Sequence, residues 1–275
     1  MKNFRGKVVV ITGGATGIGL SFAKRFGEEG ARIVIAGLAR DPLEKAVQQL
    51  TSLGIEATRF PCDVVKRADV EALADFAWDR MGRVDVIVNN AGVAQKFSRV
   101  IDTPLEEARR VHDVNFFGVL NGISVFGQRF IAQKSPSAIY NLGSENSLFD
   151  GFPLSAAYVA SKHAVLAITD ALRKEVPDFI EVGLICPGFV KSELGWYMDA
   201  GMDTDRFTAI AMEQIKNGNF FIVSHAYNMV HIDERYREIS SAFTTYAPRY
   251  SGDIEFDVRT RAARMPGMGL SKGCR

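Results

Sequence analysis

The feature that most constrains this chain is a series of short Val/Ile-rich runs, most of them unbroken by polar residues. They fall at 7–11, 32–36, 56–60, 84–88, 138–141, 181–185 and 219–223 of the 275 residues. A strand with one wet face alternates apolar and polar side chains. Four to six apolar residues in a row instead read as strands buried on both faces, as in a parallel sheet covered by helices. Between the runs, 18–29, 42–53, 67–81, 104–133 and 156–175 are longer and amphipathic and read as helices. Strand–helix alternation of this kind builds, through right-handed crossovers, an α/β fold with an open, doubly wound parallel sheet. No repeat, low-complexity segment or Gly/Pro/Ser-rich linker interrupts it, so one domain is expected over 1–250, with a tail over 251–275. After Val190 the pattern weakens, and a loop with short helices is expected there, followed by a helix over 232–243.

Composition narrows the function classes. With 47% hydrophobic and 24% charged residues the chain has ample material for a core, which excludes disordered, collagen-like and coiled-coil classes. Lys and Arg number 33 against 32 Asp and Glu, a net charge of +1. Nucleic acid and anionic membranes need a concentrated basic surface, so neither is expected as a partner. Four histidines and three cysteines (Cys62, Cys186, Cys274) are scattered without ligand spacing. No metal is expected, and sparse, odd cysteines fit a reducing compartment. Residues 1–7 lead into only four apolar residues before Thr12, too few for a signal-peptide core, so the expected location is cytoplasmic.

The first run passes straight into Thr12-Gly13-Gly14-Ala15-Thr16-Gly17-Ile18-Gly19, where a helix begins. Glycines there permit a tight turn and close backbone approach to a pyrophosphate, whose charge suits the helix N-terminus. A glycine cluster alone also fits a structural turn. The strand before, the helix after and the place at the first crossover favour a dinucleotide phosphate loop. The spacing is TGxxxGxG with no Gly-Lys-Ser/Thr, which argues against an ATP-hydrolysing loop. Further on, Tyr158 and Lys162 stand four apart on a predicted helix and so share a face. A free tyrosine, with a pKa of about 10, is a poor base at neutral pH, but a neighbouring ammonium stabilises its phenolate. Such pairs are common on helix surfaces; beside a phosphate loop this one reads as an acid–base pair.

These segments arrive together with Cys62-Asp63-Val64, Asn89-Asn90-Ala91-Gly92, Val114-Asn115-Phe116-Phe117-Gly118, Ser144 and Pro187-Gly188-Phe189-Val190-Lys191-Ser192. In this order they resemble the short-chain dehydrogenases/reductases, over about residues 5–192. The resemblance implies a Rossmann-like fold and an NAD(P)-dependent oxidoreductase that moves a hydride between nicotinamide and a secondary alcohol or ketone. It implies cofactor contacts from Gly13, Thr16, Gly17, Ile18 and Gly19 at the phosphates. Asp63 and Val64 would lie at the adenine, Asn89, Asn90, Ala91 and Gly92 along the adenosine, and Pro187, Gly188, Val190 and Ser192 at the nicotinamide. Ser192 stands where the family usually has Thr. The implied catalytic set is Asn115, Ser144, Tyr158 and Lys162, with Tyr158 and Lys162 also touching cofactor. Asn115 would hold a water on its backbone carbonyl, or mark a helix kink or a side-chain hydrogen bond to the neighbouring strand, or both. The Ser144-to-Tyr158 gap is one residue longer than usual, and Glu145 occupies the customary offset. A carboxylate suits a developing alkoxide poorly, so Ser144 is preferred, with Ser147 as the alternative.

The second strand ends Ile35-Ala36-Gly37-Leu38-Ala39-Arg40. Gly37 stands where an NAD-selective acid would be, so a 2′-phosphate meets no repulsion. Arg40 either reaches that phosphate or is a solvated charge at the helix start, and Asp41 either binds ribose or caps the helix. NADP is favoured over NAD. Substrate choice is expected from 93–97, 148–154 and a loop at about 189–215 with Leu194, Trp196, Tyr197 and Met198. Their apolar and aromatic character suits a medium-sized alicyclic, aromatic or steroid-like alcohol or ketone; it equally suits packing of the loop onto the body. Phe116, Phe117, Val119, Leu120, Val165, Leu166 and Ile168 exceed one buried stripe, which together with the resemblance points to a homodimer or homotetramer. The alternative function is a catalytically silent NAD(P)-binding regulatory protein, which would need the glycine loop but not Tyr158 and Lys162.

Overall fold

Val8 to Thr12 form the first strand because five β-branched residues can be covered from both sides. In the computed structural model, which describes residues 1–151, 153–192, 194 and 199–264, all five are buried. This is β1 (Val8–Thr12). There follow α1 (Gly17–Glu28), β2 (Arg32–Gly37), α2 (Arg40–Ser52), β3 (Ala57–Pro61), α3 (Arg67–Met81) and β4 (Val86–Asn89). Next come α4 (Leu105–His112), α5 (Gly118–Gln133), β5 (Ser137–Leu142), α6 (Ala156–Glu175), β6 (Ile180–Cys186), α7 (Thr204–Lys216) and β7 (Phe221–Val223). The strands make one sheet in the order β3-β2-β1-β4-β5-β6-β7, every pairing parallel.

Alternation along β1 shows why the runs need two covers. Val8 and Val10 join a cluster with Leu73, Ala77, Phe126 and Phe130, while Val9 and Ile11 join Phe22, Phe26, Leu43 and Phe207 on the other face. The chain winds outward from β1 to β3, then restarts at β4 on the other side of β1. That reversal leaves a crevice beyond the carboxyl ends of β1 and β4, where ligands of such sheets bind.

Two stretches differ from the sequence expectation. The helix expected over 104–133 is broken: α4 ends at His112, residues Asp113–Phe117 form a π turn, and α5 starts at Gly118. The Gly118 amide bonds the Asp113 carbonyl five residues back, and a Cβ on Gly118 would lie 2.7 Å from Val64 Cγ2. The stretch from 189 to about 215, expected as a loop with short helices, carries one continuous helix in its second part. From Thr204 it is α7, capped by Asp203, whose Oδ1 accepts from the amides of Asp205 and Arg206. Phe207, Ala211, Met212 and Ile215 bury its inner face in the core. The loop's ends are tied, since Lys191 donates to the Met202 carbonyl (2.8 Å) and Met202 to that of Phe189 (2.8 Å).

The chain separates into two units, Met1–Ala226, which carries the whole sheet, and Tyr227–Arg275; from the sequence, the division was expected at 250/251. The second unit contains α8 (Met229–Tyr246) and α9 (Val258–Ala263), and α8 buries none of its residues. Helix α8 extends three residues beyond 232–243 at each end. No helix among the described residues is long and apolar enough to cross a membrane.

Candidate active site

The glycine loop is built so that backbone, not side chain, faces the crevice. Gly13 and Gly17 have φ of +62° and +52°, in the left-handed region that glycine adopts without strain. A Cβ on Gly13 would lie 2.9 Å from Ala91 Cα, and one on Gly19 would lie 2.2 Å from the Gly13 carbonyl. Asn90 holds the loop from the neighbouring strand: its Nδ2 donates to the carbonyls of Thr12 (2.8 Å) and Gly13 (3.0 Å). Thr16, the N-cap of α1, makes no side-chain cap bond, so first-turn amides of α1 are left for a ligand.

A cavity of about 330 Å³ opens at this loop. Its walls include Gly13, Thr16, Gly17, Ile18, Gly19, Asn90, Ala91 and Gly92 on one side, and Ser144, Tyr158, Lys162, Pro187, Gly188, Val190, Ser192 and Leu194 on the other. The structure thus gathers most of the residues that the sequence singled out. Gly37, Arg40, Asp63 and Val64 lie outside that lining, at the ends of β2 and β3 on the same sheet edge. Asn89 does not reach the cavity. Its Nδ2 donates to Asn141 Oδ1 (2.8 Å), and its Oδ1 fills the space a Cβ on Gly122 would need. Trp196, Tyr197 and Met198 lie outside the described residues.

Tyr158 and Lys162 share a face of α6, with the ammonium 5.7 Å from the centre of the phenol ring. Lys162 is buried and donates to the Leu142 carbonyl (2.8 Å). Burial without a carboxylate partner pulls its pKa down to about 8. Ser144 ends β5's run and faces the cavity. Its Oγ accepts from the backbone amide of Asn146 (3.2 Å) and more distantly from Asn146 Nδ2 (3.4 Å). Ser147 is turned inward, with its Oγ accepting from the Ser144 amide (3.1 Å), and is absent from the cavity wall. Asn115 is fully buried at the π turn. Its Oδ1 accepts from the Val93 amide (2.8 Å) and its Nδ2 donates to the Val93 carbonyl (3.0 Å), so the side chain braces the loop that follows β4 rather than a strand. His163 and His112 each bond a carbonyl of their own helix.

The residues around the cavity fit the pyrophosphate and nicotinamide part of a dinucleotide. The glycine walls admit close approach of a pyrophosphate. Ser192 and Asn90 belong to the cavity wall, and Ser192 Oγ and Asn90 Oδ1 are buried atoms with no hydrogen-bond partner, an unusual deficit in a folded chain. At the outer rim a Cβ on Gly37 would approach nothing closer than Leu43 Cδ2 at 3.8 Å, so the position is open. Arg40 is exposed and bonds Glu44 through Nε (3.1 Å); Arg59 pairs with the same carboxylate. Sequence reasoning missed Arg59 and Glu44, which adjoin where α2 packs against β3, and Gln95, whose side-chain oxygen accepts from amides more than sixty residues away.

Comparisons agree with this geometry. The family profile described as short chain dehydrogenase matches residues 7–203. The 1-deoxy-11-beta-hydroxypentalenate dehydrogenase of Streptomyces exfoliatus is 29% identical over 243 residues, spanning 85% of this chain and 88% of that protein. A diacetyl reductase, (S)-acetoin forming, of Staphylococcus epidermidis is 33% identical over 233 residues, spanning 82% of this chain and 90% of that protein. Among solved structures, a short chain dehydrogenase/reductase from Burkholderia phymatum in complex with NAD superposes with a TM-score of 0.83 at 26% identity. That match covers 91% of this chain and all of that one (100%).

Proposed function

The chain belongs to the short-chain dehydrogenase/reductase family and is an NAD(P)-dependent oxidoreductase; we propose that Asn115, Ser144, Tyr158 and Lys162 carry its reaction. In this reading it interconverts a medium-sized hydrophobic secondary alcohol (alicyclic, aromatic or steroid-like) with its ketone and prefers NADP to NAD. One observation carries it: Tyr158 and Lys162, one helical turn apart, open into the same cavity as the glycine loop.

A nicotinamide dinucleotide bound there supplies or accepts the hydride. Ser144 Oγ already accepts from Asn146, which leaves its own hydrogen to donate to the substrate oxygen. Tyr158 Oη gives that oxygen a proton in reduction and takes one in oxidation. Lys162 stabilises the phenolate and, having three N–H bonds with one spent on Leu142, keeps donors for a ribose hydroxyl. Asn115 holds the loop at Val93 beside them, and its π turn redirects helix carbonyls of the kind that could seat a relay water.

The NADP preference rests on Gly37 and Arg40. Since Arg40 is shared with Glu44, a contact to a 2′-phosphate is worth only about 1 kcal/mol or somewhat more, at most roughly tenfold. Apolar Leu194, Val93 and Val190 in the cavity wall support a hydrophobic substrate. A homodimer or homotetramer is supported by exposed Phe117 and Leu120 on the helix segment that carries Asn115. Val119 and Val165, counted from the sequence as surplus surface, are core residues instead.

The test is a panel of diacetyl, cyclohexanone and decalone with NADPH or NADH, read by absorbance of the reduced ring. The highest kcat/KM is expected for decalone with NADPH. A higher value for diacetyl would overturn the substrate class, and absence of turnover throughout would overturn the catalytic reading of these residues.

A further inference from the structure

We propose that Gln95 is a positioning residue for Tyr158, its side-chain amide setting the first turn of α6 and with it the place of the phenol. The proposal rests on Tyr158 being the acid–base group. The first amides of any helix lack partners within it, and a side chain at the N-cap usually supplies one. Here the N-cap, Ser155, makes no side-chain cap bond. Gln95 supplies the cap from another part of the chain: its Oε1 accepts from the amides of Ala157 (2.8 Å) and Tyr158 itself (3.1 Å). Its Nε2 donates to Ser98 Oγ (3.2 Å) and, at the limit of bonding distance, to the Leu154 carbonyl (3.5 Å). A primary amide has two acceptor sites and two donors, and all four are used. Gln95 is 5% exposed and is not part of the cavity wall, so it touches neither cofactor nor substrate and its direct bonds toward the site are those to α6.

Its own loop is in turn fixed. Asn115 grips Val93, two residues before Gln95, at both amide and carbonyl. The same Asn115 Nδ2 reaches Ser161 Oγ (3.2 Å), which donates to the Tyr158 carbonyl (2.7 Å). Tyr158 is therefore held at its amide by Gln95 and at its carbonyl by Ser161, and both restraints lead back to Asn115. A misplacement of about 1 Å can cost a hundredfold in rate, so slack in this turn would be felt at the phenol without touching the cofactor walls.

The experiment compares Gln95→Met, which removes the acceptor, with Gln95→Glu, which keeps one, using the most active ketone of the panel above. Gln95→Met is expected to lower kcat about tenfold to a hundredfold while the NADPH Kd, read by fluorescence, stays within twofold. Gln95→Glu is expected to retain more of kcat than Gln95→Met. A kcat within twofold of the unmodified protein in Gln95→Met, equal losses in both variants, or a parallel loss of kcat and NADPH binding would each overturn the proposal. Hydrogen exchange on the unmodified protein needs neither substrate nor variant. The Ala157 and Tyr158 amides, which donate to Gln95 Oε1, are expected to be protected, and fast exchange there would overturn the proposal too. Tyr158→Phe in the same assay separates the two ideas. If it keeps turnover, the catalytic reading fails; if it is inactive while Gln95→Met is unaffected, only the positioning role fails.

Discussion

The two ends of the nucleotide crevice are built on opposite plans. At the inner end, beyond β4, β5 and β6, every group argued to act is buried or braced: Asn115 by Val93 and Ser161, Lys162 by Leu142, the loop at Gly13 by Asn90. At the outer end, beyond β2 and β3, Gly37 offers open space and Arg40, 74% exposed, is held only by an exposed carboxylate. Buried, fully paired groups specify geometry and cost much to disturb, whereas exposed charges tune affinity by small, salt-screened amounts. The inner end should thus decide whether the reaction occurs, and the outer end which dinucleotide serves it.

The largest effect should come from Lys162→Met. It removes both the charge that stabilises phenolate and the donors for ribose, so kcat should fall about a thousandfold, with NADPH Kd weakened as well. Unchanged NADPH affinity would restrict the lysine to the phenolate. Next, Ser144→Ala should lower kcat about a hundredfold, as loss of a single donor to a developing oxyanion does elsewhere. Ser147→Ala should instead lower thermal stability by about 1 kcal/mol with little change in rate, because its hydroxyl serves the Ser144 amide. The opposite ordering in parallel kcat and melting measurements would shift the site by one turn.

At the outer end the expected effects shrink. Gly37→Asp fits sterically and should swing the ratio of NADPH to NADH Kd toward NADH by about tenfold, by setting a carboxylate against the 2′-phosphate. Arg40→Ala should weaken NADPH by less than that and leave NADH unchanged, and both effects should fade in added salt. Tighter NADH binding by the unmodified protein would reverse the assignment and direct attention to Asp41.

The smallest effect is on stability. Lys162 titrates near 8 when folded and in its ordinary range near 10.5 when unfolded, so between these values the unfolded chain binds the extra proton. Stability therefore rises with pH across that window. From about pH 8 upward, Cys62 and Cys186, whose thiols burial pushes up to about 12, increasingly act in the opposite direction. The lysine's share, about 1 kcal/mol between pH 8 and 9, is read as the difference in urea unfolding between the unmodified protein and Lys162→Met, which cancels the thiols.

The same contrast explains what the sequence could disclose. Strands buried on both faces left runs of Val and Ile, and α3 and α6 have the bounds their periodicity predicts, 67–81 and 156–175. Motif residues at the carboxyl ends of β1, β4, β5 and β6 were legible because local chemistry demanded them: glycine where Cβ cannot fit, and Tyr and Lys four apart. Features that depend on distant partners were not legible. The π turn holds Asn115, whose side-chain amide is satisfied 22 residues away, and the cap on α6 comes from Gln95 more than sixty residues away. Helix α7 did leave a helical trace at Phe207, Ala211, Met212 and Ile215, but aromatic loop residues just before it made the whole stretch read as substrate loop.

The central claim, that the inner end moves the proton through Tyr158 independently of how the cofactor is held, is tested most directly by Tyr158→Phe. Turnover and NADPH binding should be measured on the same preparation, the first by absorbance of the reduced ring and the second by fluorescence. The account predicts that turnover falls at least a thousandfold while NADPH Kd stays within about twofold, because only the titrating hydroxyl is lost. Turnover within a few-fold of the unmodified protein, with NADPH still bound, would contradict it.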